Sequence, residues 1–588
     1  HLFMKTLFKI GIAFIILFQF SCSEDFLDRY PLDELSPEVF FENDEQLALF
    51  ANRFYTLLPA HQDYYVTFWT ENNSDNLVPA IFDARLGGTR PIPASASEGG
   101  WVWDDIRQAN YFLTHCHKAK GIKADIDHFI GEVRFFRAFL YFDKLRTFGD
   151  IPWITKPLNT SSEELYSPRI KRNIVTDSII ADLDSAIAWL KPSATAPPFR
   201  INREIAMLLK ARVCLYEGTW EKYHAGTPFG VSGSDGASYL LKAAQTSGEL
   251  MQQNTYSIYK GPAGSEYGAL FNQTNLSGNP EVMLWKKFDI SLQIVNNVSR
   301  FLSGGGGNTG MSKSLIDSYL CTDGKPIGTS PLFIGNDSLV QETTNRDPRL
   351  LQSMFLPGYP MISGAPGVNN QIFKLPPIDG AGDFRSTTGY CIYKGHNPDW
   401  TQQANNLNGT TTSVIFRYAE VLLIYAEARA ELGILTQEDV DKTINLLRDR
   451  VSMPHLFLGN IQTDPNWDFP ELSPEINEIR RERRVELALE GFRWDDIARW
   501  RAHTLIEGKR PNGVKYIGTN LEGAYKDFLG KPTITIGVNL FVDNNGFIDP
   551  YQKILPNGYG FDPGRDYLSP IPSDELTLNP NLTQNPGW

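Results

Sequence analysis

Apolar positions recur at helical spacing through most of the first 250 residues. From Asn43 to Leu58 they follow an N-cap candidate, Asn43 or Asp44, and stop before Pro59, which predicts a helix there. Asp127 to Phe148 sets Phe129, Val133, Phe136 and Leu140 on one broad face with Arg and Lys elsewhere, until Gly149-Asp150-Ile151-Pro152 breaks the pattern. Further helices are predicted over 170–190, 202–217 and 238–253, separated by loops rich in Pro, Gly and Ser. From about 255 to 410 the pattern changes to Gly, Asn, Thr and Pro, with short strand-like runs such as EVMLWKKFDI. Helical periodicity returns over 417–433, 437–451 and 474–490, and 511–588 is again loop-rich.

These helices read as pairs. Tyr418, Leu422, Tyr425, Ala426 and Leu432-Gly433 loosely follow the tetratricopeptide pattern, with a second helix close behind. A helix pair leaves an apolar face that only a neighbouring pair can cover, so the expected fold is mainly α. It is a tetratricopeptide-like superhelix of helix pairs, with long loop-rich insertions and a few short strands packed across it.

The N-terminus has its own logic. Lys5 and Lys9 accompany a short apolar run, Ile10 to Phe18, well below the about 20 residues that span a bilayer. The run reads as a signal peptide over 1–21. It ends at Ser21-Cys22, which resembles a bacterial lipobox with Gln19 where Leu is usual. On that reading Cys22 carries the lipid and the chain is anchored to a membrane without spanning it. Ser23-Glu24-Asp25 resembles the acidic tag that directs Bacteroidetes lipoproteins to the outer face of the outer membrane.

Charge and cysteine content narrow the partners. A net charge of -13 argues against nucleic acid, whose phosphates need clustered Lys and Arg. Cys116, Cys214, Cys321 and Cys391 are widely spaced with no CxxC, so zinc is not expected and no disulfide can be deduced.

Catalytic patterns are missing. Glu482, Glu486 and Glu490 recur every four residues, but Arg483, Arg493 and Arg499 are interleaved. An ion-pair network keeps such acids ionised, whereas acid catalysis needs one held as a proton donor. GGGGNTG, 304–310, has a G-x-G-x-x-G spacing at Gly305, Gly307 and Gly310, yet no strand precedes it and Met311 stands where a phosphate-binding Lys would. It reads as a flexible loop able to border a ligand site. His115 and His117 are two apart and cannot share a helix face. DNNGFID, 543–549, has calcium-friendly oxygens, but its Gly546 is fourth where an EF-hand loop has its glycine sixth. Adventitious calcium aside, no metal or cofactor is expected, and the chain does not read as an enzyme.

Binding chemistry is better represented. Sugar rings pack flat C–H faces on aromatic rings, and their hydroxyls need polar partners to replace water. DYYVTFWTENNSDN, 63–76, supplies both kinds, with Tyr65, Trp69, Asn73 and Asp75 as candidates. Arg85 and Trp101 follow, while Trp103, at helical spacing with Ile106 and Asn110, is expected in the core.

Several segments resemble the SusD/RagB family of Bacteroidetes surface lipoproteins: CSEDFLDRYPLDELSPEVFFEN, WVWDDIRQANYFL, GEVRFFRAFLYFDKLRTFGDIPWI, IFRYAEVLLIYAEARAELG, IRRERRVELALEGFRWDDIARW and RDYLSPIPSDELTLNPNLTQNPGW. The resemblance runs in order from Cys22 to Trp588. It implies one domain over 22–588, with an N-terminal helical half (22–254), an insertion (255–410) and C-terminal helices with a terminal tract (411–588). It also implies ligand contacts in the early loops and the insertion, which adds Phe288, Asn296 and Tyr359 as candidates. The implied partner is a SusC-like TonB-dependent outer-membrane transporter, over which the protein sits as a lid. The implied function is non-catalytic capture of oligo- or polysaccharide at the cell surface. Peptide capture and a purely structural lid are the alternatives.

Overall fold

The structure is a computed structural model that describes residues 40–62, 65–404 and 408–588. Cys22 and the signal-peptide segment lie outside the described residues. The first helix among the described residues, α1 (Asp44–Ala51), begins where Asn43 accepts the Gln46 N–H, and a 3-10 turn carries it to Leu57. Then come α2 (Asp104–His115), α3 (Lys123–Phe148), α4 (Arg172–Trp189), α5 (Arg203–Tyr223) and α6 (Ala237–Gln252). After the insertion follow α7 (Tyr418–Glu431), α8 (Ile444–Arg450), α9 (Pro474–Glu486) and α10 (Arg493–Arg499).

From α2 to α6 each helix packs on the next, and α7 continues the series by packing on α6 and then on α9. The mainly helical, helix-pair expectation holds. Chain geometry enforces the close spacing at α5 and α6. Gly236, at φ +74°, lies so near α5 that a Cβ on it would stand 1.9 Å from the Gly218 carbonyl oxygen, and only glycine meets both conditions.

One predicted helix is split. The 437–451 pattern divides into Gln437–Asp441 and α8, because Thr443 leaves helical geometry at φ -130°, ψ -84°. Another is shorter: α9 ends at Glu486, and Leu489 takes a left-handed φ of 69°.

Among the described residues, four strands form two small antiparallel ribbons: β1 (Val282–Lys286) with β4 (Ser413–Arg417), and β2 (Pro360–Ile362) with β3 (Gln371–Ile372). The first ribbon closes the base of the insertion, with Val282 opposite Arg417 and Trp285 opposite Val414. The helices and the terminal tract share one apolar core, from Phe41 to Leu582. The insertion has a second core, built with residues 66–77 and part of the 511–548 tract. Loop-rich composition therefore does not mean a loose segment. No helix among the described residues is long and apolar enough to cross a membrane.

Candidate functional site

A short 3-10 helix, Thr67–Asn73, links the early loops to the insertion and the C-terminal helices. Glu71 anchors it. Its buried carboxylate accepts the backbone N–H groups of Leu489 (3.0 Å), Glu490 (3.2 Å) and Gly491 (2.9 Å), and the Asn76 side-chain amide at 2.8 Å. Burial raises the Glu71 carboxyl against the pull of these donors.

The other side of this short helix holds the glycine loop. Trp69 Nε1 donates to the Gly306 carbonyl at 3.2 Å, and its indole meets the Phe301 ring edge-on at 4.9 Å. Asn72 accepts a hydrogen bond from the Thr309 hydroxyl at 2.8 Å. Gly305, Gly306 and Gly307 all have positive φ, and a Cβ on Gly307 would strike the indole at 2.4 Å. The run expected to be a flexible loop is thus fastened from below. Beside it opens a hollow of about 230 Å³ floored by Leu302, Met361, Phe373 and Leu375. Phe384 stands at its rim, 62 % exposed, against Gly304. Backbone carrying no side chain, next to a bare aromatic face, can admit a flat ring.

Most of the candidates named from the sequence have other duties. Asp75 accepts from Arg493 Nε at 2.6 Å and from Arg484 Nη2 at 2.9 Å. Burial would raise its carboxyl, but the two guanidinium groups hold it down at about 2. Arg85 lies over the Trp494 ring at 4.5 Å and donates to Ser569. The expectation that Trp101 stands at an exposed face does not hold: it is 3 % exposed and packs edge-on against Phe148 and Trp103. Phe288, also 3 % exposed, is covered by Lys286 and lies beside His61. Asn296 is fully buried, donating to the Thr411 carbonyl and accepting the Val298 N–H. In each of the three, a neighbour two residues away and one distant in sequence (Phe148, His61 and the Thr411 carbonyl respectively) together occupy the side chain. Trp103 packs on the core as expected.

Tyr65, Trp69 and Asn73 remain half-buried, and Asn73 Oδ1 has no partner. Tyr359 donates to the Leu351 carbonyl and packs on Tyr393, next to Phe373 of the hollow. Among these, Trp69 and Tyr359 are brought near the hollow, and Trp69 supports it from beneath. Sequence reading missed Glu71 and Phe384. The signal for Phe384 was available as a lone aromatic in a turn-rich run, GAGDFRST.

The three glutamates form an ion-pair network, though with other partners than the interleaved arginines. Glu482 binds Arg349 and Arg448, Glu486 binds Arg349, Arg417 and Arg450, and Glu490 binds Arg417 and Lys394. Arg483 and Arg499 serve Asp496 and Glu427 instead. Burial alone would raise the Glu486 carboxyl, but three arginines hold it below the ordinary carboxylate range. Such a group is a poor proton donor. A larger cavity of about 450 Å³ touches Thr67 and Phe68. Its charges are matched internally: Arg146 binds Asp143 and Asp495, and Lys394 binds Glu490, the Ala488 carbonyl and the Tyr267 hydroxyl. Among the described residues no cluster of three or more His, Cys, Asp or Glu could hold a metal ion, and the four cysteines are unpaired and buried.

Comparison with known proteins places this geometry in a family. A model described as the SusD family matches residues 266–588, and one described as starch-binding associating with outer membrane matches 100–215. SusD-like protein P2 of Formosa agariphila is 24% identical over 99% of both chains. SusD-like protein P38 of the same organism is 24% identical, covering 84% of this chain and 92% of that one. Among solved structures, a SusD-like carbohydrate binding protein from Bacteroides fragilis aligns with a TM-score of 0.71 at 21% identity, over 92% of this chain and 100% of that one. A SusD homolog from Bacteroides thetaiotaomicron aligns at 0.62 and 17% identity, over 94% and 98%.

Proposed function

Because the chain belongs to the SusD family, we propose that it captures oligo- or polysaccharide at the cell surface and delivers it to a partner SusC-like TonB-dependent transporter, itself catalysing nothing. The observation that carries this reading is the hollow beside Phe384, where an exposed ring meets the bare backbone of Gly304 and Gly305. A sugar laid there buries C–H groups against Phe384 and meets main-chain polar groups at the glycines. Two comparisons support the ligand class: a fold relative named as carbohydrate binding, and the starch-binding description of the matched family.

One ring and a few hydrogen bonds bind weakly once ordering costs are met. Many copies along one polymer restore retention through effective concentration. That arrangement needs the proteins held on one surface. The lipid on Cys22, at the outer face of the outer membrane, supplies this, and no cofactor is required.

The test is native gel retardation in a panel of soluble polysaccharides, with the wild-type protein beside Phe384→Ala. Retardation by a polysaccharide, lost in the folded variant, supports the reading. Retardation by none, with binding to a peptide mixture, replaces it with peptide capture. Silence in both leaves a lid without a ligand of its own.

A further inference from the structure

A second surface hollow, of about 440 Å³, opens where the end of β1 passes the 3-10 turn that follows α1. Leu284, Trp285 and Ile415 floor it, and Phe199, Leu292 and Ile294 stand around it. The last three are 48, 66 and 43 % exposed. Exposed apolar side chains scattered singly are ordinary, but these three border one opening.

Phe199 is put there by its backbone. Its φ of 61° lies in the left-handed region, which a bulky side chain rarely adopts. The next two residues hold it. Arg200 donates to both Glu132 carboxylate oxygens at 2.7 and 2.6 Å and to the Asn52 side-chain oxygen at 2.6 Å. The Ile201 N–H donates to the Tyr55 hydroxyl at 2.8 Å. The Phe199 ring then meets Trp285 edge-on at 5.1 Å, with half its surface open. Strain kept for a ring that does not fill the core points to a use for that ring.

The charges of the lining are few: Lys286, Lys287 and Asp289. Lys286 lies over the Phe288 ring at 5.1 Å. Asp289 Oδ1 accepts the Ser291 N–H at 2.9 Å and the Ser291 hydroxyl at 2.6 Å. Those bonds, with Lys287 behind them, hold the Asp289 carboxyl below its usual range. Lys287 itself is exposed and makes no ion pair among the described residues.

Such a wall selects its ligand. A sugar would leave most of its hydroxyls without partners on the apolar floor, and a cation would meet two ammonium groups. An apolar body with one negative end gains from both parts of the wall. Phe199 and Trp285 favour a ring over an acyl chain, because aromatic edges and faces attract one another. We propose that this hollow is a binding site for a small aromatic carboxylate, separate from the hollow beside Phe384. The ring packs on Phe199 and Trp285, and the carboxylate meets Lys287.

Calorimetric titration of the whole protein with cinnamate, cinnamyl alcohol and octanoate tests it. Cinnamate is expected to bind about tenfold more tightly than either of the others. Lys287→Gln is expected to lower cinnamate to the level of the alcohol and to leave the alcohol unchanged. Phe199→Gly is expected to weaken cinnamate about tenfold without an earlier denaturation midpoint, since glycine takes the left-handed conformation freely. Polysaccharide retardation is expected to be unchanged in both variants, and Phe384→Ala to bind cinnamate as wild type does. No binding of cinnamate overturns the proposal. Equal binding of the alcohol overturns the anionic class, and tighter binding of octanoate overturns the aromatic one. An earlier midpoint in Phe199→Gly with wild-type cinnamate affinity makes the ring a packing residue only. Loss of cinnamate binding in Phe384→Ala overturns the separateness of the sites.

Discussion

Asp75 and Arg493 lie 418 residues apart in the chain and meet through two hydrogen bonds, at 2.6 and 2.8 Å. The contact ties the end of the 67–73 helix to the start of α10, and Arg484 reinforces it from α9. Removing one partner of a buried pair leaves the other charge uncompensated. Asp75→Asn is therefore expected to cost about 3 kcal/mol in chemical denaturation. A variant of normal stability with weakened glycan binding would return Asp75 to the ligand site.

Trp101→Ala removes a ring clasped by Phe148 and Trp103. It is expected to cost about 3–5 kcal/mol, read as an earlier denaturation midpoint. A stability change within experimental error would mean that the indole stands in solvent.

Phe384→Ala acts on an exposed side chain, so its stability should stay within about 0.5 kcal/mol of wild type. Polysaccharide retardation should nonetheless fall.

Gly307→Ala separates support from contact. Its methyl group would collide with the Trp69 indole, in a backbone conformation that disfavours side chains. The expected result is displacement of the glycine loop and weaker retardation, although residue 307 is not on the lining of the hollow. Trp69→Phe keeps a ring but loses the bond to Gly306, and should show a milder form of the same defect. Wild-type retardation in both variants would show that loop position does not matter.

Buried histidines set the acid limit. Burial pushes His224 down to about 3 and His396 to about 4. Below about pH 6.5 the unfolded chain binds protons that these folded imidazoles refuse, so stability falls as pH drops through that window. The His396 shift alone corresponds to roughly 3 kcal/mol by about pH 4. Asp75 works lower still. Its contribution is complete above about pH 3.8 and is lost as pH falls towards about 2. Thermal melts from about pH 7 to about pH 4 should therefore decline before Asp75 titrates, and His396→Gln should flatten the slope. Glu71 and Glu221, whose carboxyls burial raises, act in the opposite sense over the same range, so the histidine assignment rests on the comparison: a His396→Gln slope equal to that of wild type would contradict it.

The helices were legible because their apolar spacing is local, and Asn43, Pro59 and Gly149 punctuate them within a few residues. The site was less so. In 63–76 the residue types suited to a sugar platform are the same types that plug a turn into a core, and only partners some 400 positions away distinguish the two. Asp75 and Glu71 show this: each looks free locally, and each is consumed by residues 484–493. Trp101, Phe288 and Asn296 went the same way, while Phe384, a lone ring, lacked the aromatic neighbours that drew attention to Trp69. The glutamate network was foreseen in kind but not in its members, because Arg349, Arg417, Arg448 and Arg450 come from other elements.

That network also bears on how the chain is made. Glu281, Arg349 and Lys394 of the insertion, Arg417 before α7, Arg450 at the end of α8 and Glu486 of α9 share one buried set of charges. A nascent chain that has emerged only as far as α8 holds Arg349, Arg417 and Arg450 with Glu281 but without Glu482, Glu486 and Glu490, and sealing that surplus of cations from water is strongly disfavoured. The insertion and the last helices must therefore close together in a late, concerted step. Far-ultraviolet dichroism and tryptophan fluorescence should accordingly trace a single unfolding transition, and a chain ending before α9 should remain open and sensitive to protease.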